Sequence, residues 1–142
     1  MAFDAIYRIA SSAMYAQRVR LETVASNLAN IDSAAADTRT AYQARKPVFA
    51  AVYQNHQLSR GTGLGGANVQ VLDVVASGRE AKKRYEPEHP LADRSGHVYY
   101  PDISEIEEMT DMMSATRSFE TAIEVLNRVT SMQQGLLKLG EA

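Results

Sequence analysis

Few side chains in this 142-residue sequence have types and spacing that could do chemistry. His89, Asp93 and His97 recur every four residues, which on a helix would align two imidazoles and a carboxylate as metal ligands. Pro90 and Gly96 interrupt that stretch, so it reads as a loop whose His and Asp side chains hold turns by hydrogen bonds. Gly61-Thr62-Gly63-Leu64-Gly65-Gly66 satisfies G-x-G-x-x-G, a pattern that holds a dinucleotide only between a strand and a helix N-terminus. The residues that follow, Ala67-Asn68-Val69-Gln70-Val71, are strand-like, so a flexible hairpin loop is the better reading. Lys82-Lys83-Arg84 with Arg79 is a basic patch beside Tyr85, too short for a nucleic-acid-binding face without a recognised module. It reads as solvated surface, or as surface turned to an acidic neighbour. His56 has no companion, and Cys is absent, which excludes thiolate chemistry, disulfides and Cys-based zinc sites. No nucleophile elbow, Walker A sequence or scaffolded carboxylate pair occurs. No catalytic, cofactor-binding or metal-ligating residue is therefore expected, and the chain reads as a non-enzyme.

Periodicity divides the chain into three segments: 1–31, 32–101 and 102–142. The first has no Gly or Pro, and its apolar residues recur in heptads. Tyr7, Met14, Leu21 and Leu28 occupy one seam position; Phe3, Ala10, Val24 and Ile31 occupy the other, with Gln17 interrupting. Heptads kept up over that length predict a helix built to pack lengthwise on another, roughly 40 Å long. The last segment opens with a capping box, Ser104 and Glu107, and with Glu105 and Glu108 in its first turn. Met109, Met112, Thr116, Phe119, Ile123, Leu126, Thr130, Gln133 and Leu137 then alternate at spacings of three and four. Val125, Val129, Met132 and Leu136 add a second stripe, which gives this helix apolar surface on more than one side. Gly135 weakens its last turns by about 1 kcal/mol against Ala, and Gly140 is the expected stop.

The middle segment holds all four prolines and most of the glycines. Short β-type runs at 48–53, 69–76 and 98–100 predict a small irregular β-rich unit with long loops; the Ala-, Asp- and Thr-rich run 32–45 is expected to be a mobile or assembly-ordered linker. The predicted fold is mainly α with a small β-rich insert, its two long terminal helices forming an antiparallel coiled-coil pair. Net charge is +1 in 1–31, +2 in 32–101 and −5 in 102–142, so the two helices can lie together without repulsion. Met109, Met112 and Met113 are adaptable packing surface for a helix that meets several partners. Two helices sharing one narrow seam leave apolar stripes in water, and such stripes mark self-assembly.

Ala16-Gln17-Arg18 leading to Ala25-Ser26-Asn27-Leu28-Ala29-Asn30 resembles the N-terminal signature of flagellar axial proteins, the rod and hook components. A longer pattern is more specific. Tyr85, Pro87, His89-Pro90, Ala92-Asp93, Gly96, Val98 and Pro101 are followed by Glu107-Glu108-Met109, Ser114-Ala115, Arg117-Ser118-Phe119 and Glu124-Val125-Leu126-Asn127. Together they resemble the proximal rod family usually called flagellar basal-body rod protein C, over essentially the whole chain. Ile31-Asp32-Ser33-Ala34 departs from that family's Thr-rich continuation, and Ala122 stands where an Asn is expected.

The resemblance implies a structural subunit of a helical, periplasm-spanning rod that carries torque from motor to hook. It also implies delivery by the flagellar type III export apparatus. The N-terminus has neither the basic nor the apolar region of a cleaved signal, and nothing in the sequence is apolar enough to span a bilayer. The implied partners are copies of the chain, other proximal rod proteins, the distal rod protein, the export-side rod adapter and the P ring. Neither nucleic acid nor direct membrane insertion is implied. The expected assembly interface comprises Tyr7, Met14, Leu21, Val24, Asn27, Leu28, Asn30, Ile31, Met109, Met112, Phe119, Ile123, Leu126 and Asn127. Asn27 and Asn30 have two readings: they cap and end the first helix, or their amides bond between neighbouring subunits and fix register. The rival functions are another axial subunit, of distal-rod or hook type, and a helical adapter or export chaperone that binds one client helix.

Overall fold

The computed structural model describes residues 2–53 and 66–140. Six elements follow in order: helix α1 (Ala2–Ala29), strands β1 (Arg45–Tyr53), β2 (Ala67–Ala76), β3 (Lys82–Tyr85) and β4 (His97–Tyr100), and helix α2 (Glu105–Gly140). The strands form two separate antiparallel ribbons, β1–β2 and β3–β4. The fold is mainly helical with a β insert, as the periodicities predict. Positions 61–65 of the glycine motif lie outside the described residues.

Helix α1 is the hub. It packs against α2 on one side and against both strands of the first ribbon on another. Its exposed positions form a narrow polar stripe through Asp4, Arg8, Ser11, Tyr15, Arg18 and Glu22, and nearly everything else is at least half-buried. Ser12 ties the helix to the ribbon: its hydroxyl donates to the Ile9 carbonyl and accepts the Val69 N–H at 3.1 Å. At the far end Asn30 stops the helix by donating to the Ser26 carbonyl at 2.8 Å while its own oxygen accepts the Ser33 hydroxyl.

The run 32–45, expected as a linker, is folded into the structure, and its last residue, Arg45, opens β1. Ala35 pairs with Tyr99 through two backbone hydrogen bonds, of 2.8 and 2.9 Å, and so adds a bridge to β4. Ala35, Ala41 and Ala44 are buried, and the Asp37 carboxylate holds a turn by accepting from Thr38 and Arg39. Small alanines let this run lie flat where a composition of few large residues suggests a free tether. Lys82–Tyr85, expected as surface, is β3, which pairs with β4 from Lys82↔Tyr100 to Tyr85↔His97. Val98, fully buried, anchors that ribbon beside Ile103 and Pro101, which are buried too.

The helices run antiparallel, with Tyr7 beside Thr130 and Gln133, Arg20 on Asp111, and Asn27 on Glu108. The face of α2 turned to α1 differs by one position from the expected stripe. Met112, Phe119, Leu126 and Gln133 are on it, as predicted, and Thr130 reaches Tyr7 from its edge, but the alternate positions are Glu108, Ala115, Ala122 and Val129 instead of Met109, Thr116 and Ile123. Close approach of two helices favours small side chains at the contact. Ala115 is fully buried, while Met109 and Ile123 are left outside. Ala122 thus stands in the seam, half-buried. Helix α2 begins with the Glu107 N–H donating to Ser104 Oγ at 3.4 Å and runs through Gly135 without a break.

Gln17 is the flaw in the seam, since its Oε1 is buried with no donor. Gln17→Leu is expected to raise the unfolding free energy by about 1 kcal/mol, because a desolvated acceptor is exchanged for apolar contact. Urea denaturation checks this; an unchanged or lower midpoint would contradict it.

Candidate assembly interface

Asn27 fixes how the pieces meet. Its side chain is 1% exposed, and every hydrogen-bonding position on its amide is used inside the chain. Nδ2 donates to the Arg45 carbonyl at 2.9 Å and to Glu108 Oε2 at 3.0 Å. Oδ1 accepts the Arg45 N–H at 2.9 Å and the Tyr42 hydroxyl at 3.0 Å. The Tyr42 hydroxyl, its proton committed to Asn27, lies 3.1 Å from Ser26 Oγ, which is left to donate. One residue of α1 therefore holds the start of β1, the run before it and the first turn of α2. The reading in which the Asn27 amide bonds to a neighbouring subunit is corrected here: an amide with two donors and two filled acceptor sites has nothing left to offer. Asn30 ends α1, as its first reading has it.

The remaining expected interface residues fall into two groups. Tyr7, Met14, Leu21, Val24 and Leu28 on α1 are buried or half-buried, as are Met112, Phe119 and Leu126 on α2; Asn30 and Ile31 are half-buried where α1 ends. Met109, Ile123 and Asn127 point into solvent. With them, α2 leaves a series of large apolar side chains bare: Ile106, Met113, Val125, Met132, Leu136, Leu137 and Leu139, the last 77% exposed. Packing on α1 covers one side of α2, and no strand packs against the rest. Sequence reasoning missed Tyr42, Arg20–Asp111 and Glu108 as organisers. The available signal was an acid at a heptad seam position opposite an Asn.

The groups that could do chemistry are used structurally. Asp93 Oδ1 accepts the N–H of Ser95 at 2.7 Å and of His97 at 3.0 Å, and His89 Nδ1 accepts the Leu91 N–H at 3.1 Å. The His97 ring sits edge-on to Tyr85. Gly96 has φ +75°, and a Cβ there would come within 2.9 Å of the Tyr85 ring, so the turn requires glycine. The basic strand is answered at close range: Lys82 meets Asp102 at 2.7 Å, and Arg84 meets Glu86 and lies over the Tyr100 ring. The His97 N–H holds the Asp93 carboxyl below the usual carboxylate range, and Lys82 does the same for Asp102. Among the described residues, no three His, Asp or Glu converge as a metal site.

Two family models match the chain. "Flagella basal body rod protein" covers residues 8–36, and "Flagellar basal body rod FlgEFG protein C-terminal" covers residues 94–139. Flagellar basal-body rod protein FlgC of Escherichia coli O157:H7 is 41% identical over 141 residues, 99% of this chain and 100% of that protein. The chain belongs to the FlgC family of flagellar basal-body rod proteins. FlgC of Salmonella typhimurium is likewise 41% identical, and FlgC of Bacillus subtilis is 31% identical over 94% of this chain and 95% of its own length. The protein is a structural subunit of the proximal rod of the flagellar basal body, where it assembles with other rod components. Both family models fall on the terminal helices and the segments next to them, so the Asn27–Glu108 bond joins the two matched regions.

Asn27→Ala is expected to cost about 3 kcal/mol, because it strands the Glu108 carboxylate and both backbone groups of Arg45, whereas Asn30→Ala costs about 1 kcal/mol. Equal losses in urea titrations would refute the ranking. Because Asp93 and Asp102 have depressed folded-state values, their stabilisation is present at neutral pH and is lost as pH falls through the carboxylate range. Asp93→Asn keeps an acceptor but cannot titrate, so its melting temperature should fall less than that of the unmodified protein between pH 7 and pH 3.

Proposed function

We propose that the protein works by polymerising helically within the rod, its α1–α2 pair laid along the rod axis in the manner of an antiparallel coiled coil. In this reading the assembled helices transmit torque from motor to hook. The neighbours are copies of the chain, other proximal rod proteins, the distal rod protein and the export-side adapter, with the P ring around them. The subunit travels through the flagellar type III export apparatus and crosses the periplasm as part of the rod. No helix among the described residues is long and apolar enough to cross a membrane.

The observation that carries this reading is the bare apolar surface of α2. Ile106, Met109 and Met113 line one flank near its start, and Val125, Met132, Leu136 and Leu139 line the opposite flank near its end. A helix with apolar residues on both flanks can be satisfied only by neighbours on both sides. At about 25 cal/mol per Å² of apolar area, covering these side chains supplies a drive that no single strong contact has to provide. Methionines suit a surface that must fit several different neighbours.

Because these residues are exposed in the lone chain, a Met132→Lys, Leu136→Lys double variant should keep its melting temperature within about 2 °C, matching the small effect of surface substitutions. It should be lost from purified basal bodies and should abolish swimming. Normal incorporation and motility would overturn the reading.

A further inference from the structure

Helix α2 and the β1–β2 ribbon both pack on α1 but do not pack on each other. Between them a groove of about 830 Å³ remains, with Val24 on its floor, Pro47 and Phe49 on the ribbon side, and Ile106, Thr110 and Ser114 on the α2 side. Two cations stand at its edge. Lys46 is exposed, and among the described residues no carboxylate pairs with it; the Arg45 guanidinium lies over the Tyr42 ring, 6.0 Å from its centroid, and meets no carboxylate either. The other charged residues lining the groove are already engaged: Arg20 with Asp111, Glu107 with Arg79, and Glu108 with the Asn27 amide.

A complementary face exists on the same chain, about a third of a turn round α2 from Thr110 and Ser114 of the groove wall, with Ile106 between the two. Met109, Met113, Glu120 and Ile123 follow one another at spacings of four, seven and three, and all are exposed. Glu120 has no cation partner among the described residues, and α2 belongs to the segment of net charge −5. The helix therefore offers apolar residues around one unpaired acid, and the groove offers apolar walls beside unpaired bases.

We infer that the groove is filled by helix α2 of a second copy of this chain, which seats its Met109–Met113–Ile123 side on Val24 and Phe49 and sets Glu120 against Lys46 and Arg45. The inference rests on the rod-subunit reading and specifies its lateral contact. Groove and inserted face are different surfaces of the same subunit, so each copy can receive one neighbour and enter another. A contact of that kind repeats without pairing off, which is how a helical array grows.

Because the chain contains no cysteine, Lys46→Cys and Glu120→Cys provide unique thiols. The two variants are co-expressed, and purified basal bodies are treated with a short bismaleimide linker. The expected product is an adduct at twice the 15.6 kDa chain mass, formed from the mixture and from neither variant alone. Incorporation of both variants without that adduct, or an adduct to a different rod component, would overturn the inference. A charge exchange gives an independent reading if the thiol variants fail to enter the particle. Lys46→Glu and Glu120→Lys should each lower incorporation at least tenfold, and combining them should restore at least half of it. Absence of restoration also overturns the inference. Absence of the unmodified chain from basal bodies would instead overturn the rod-subunit reading itself.

Discussion

A primary amide withdrawn from water must find partners for two N–H groups and two lone pairs, or the fold loses several kcal/mol. Asn27 finds all four on three residues, Tyr42, Arg45 and Glu108, and that requirement sets the geometry of the whole subunit. The bonds to the N–H and carbonyl of Arg45 imitate the pairing of one strand with another, so they fix where the first ribbon starts relative to α1. The bond to Glu108 fixes the height at which α2 begins. Glu108 is itself buried, and a buried carboxylate without a donor is worse than none at all. Neither residue can move without leaving the other unsatisfied, and the rest of the contact between the helices inherits its register from them.

With the register set at one end, the remaining contacts are modest. Much of the buried apolar set is alanine, with Val24, Val98, Ile103 and Val129 as its larger members. Small side chains bring backbones close and bury little area, so the lone subunit gains limited hydrophobic stabilisation. Many of the larger apolar residues, which an isolated domain would place in its core, lie on the outside of α2 and of the first ribbon. Polar ties make up part of the difference: Tyr7 to Gln133, Arg20 to Asp111, Ser12 to Val69. Such a division suits a subunit whose full complement of contacts exists only in an assembly.

The helices were legible in the sequence because heptads repeat through 1–31 and through 105–137, and three strands were legible from β-branched runs. Two features were not. The strand Lys82–Tyr85 is exposed and has a composition that reads as wet surface, so its pairing with His97–Tyr100 was hidden although the turn that Gly96 and Asp93 make was legible. The inner face of α2 was displaced by one position because a hydropathy reading prefers Met109, Ile123 and Leu137 to Glu108, Ala115 and Ala122. Close packing reverses that preference: volume, not hydropathy, decides which residue fits between two backbones. The error had a physical origin in the protein's function, since the residues with the strongest apolar signal are the ones left for neighbours.

The two helices have therefore divided the work. Helix α1 is enclosed by α2 and the first ribbon, and what it shows to water is a stripe of Asp4–Arg8 and Arg18–Glu22 pairs with Tyr15, a surface already satisfied. Among the helices and strands, α2 packs only on α1, and it shows methionine, leucine and valine. If both helices had apolar outer faces, a chain could pair with another in many orientations, because hydrophobic contact is non-directional. Of the two helices only α2 carries a long bare apolar surface, and holding that helix at a fixed height through Glu108 and Asn27 removes most of those alternatives. The same buried amide that organises the subunit thus limits the ways in which subunits can meet.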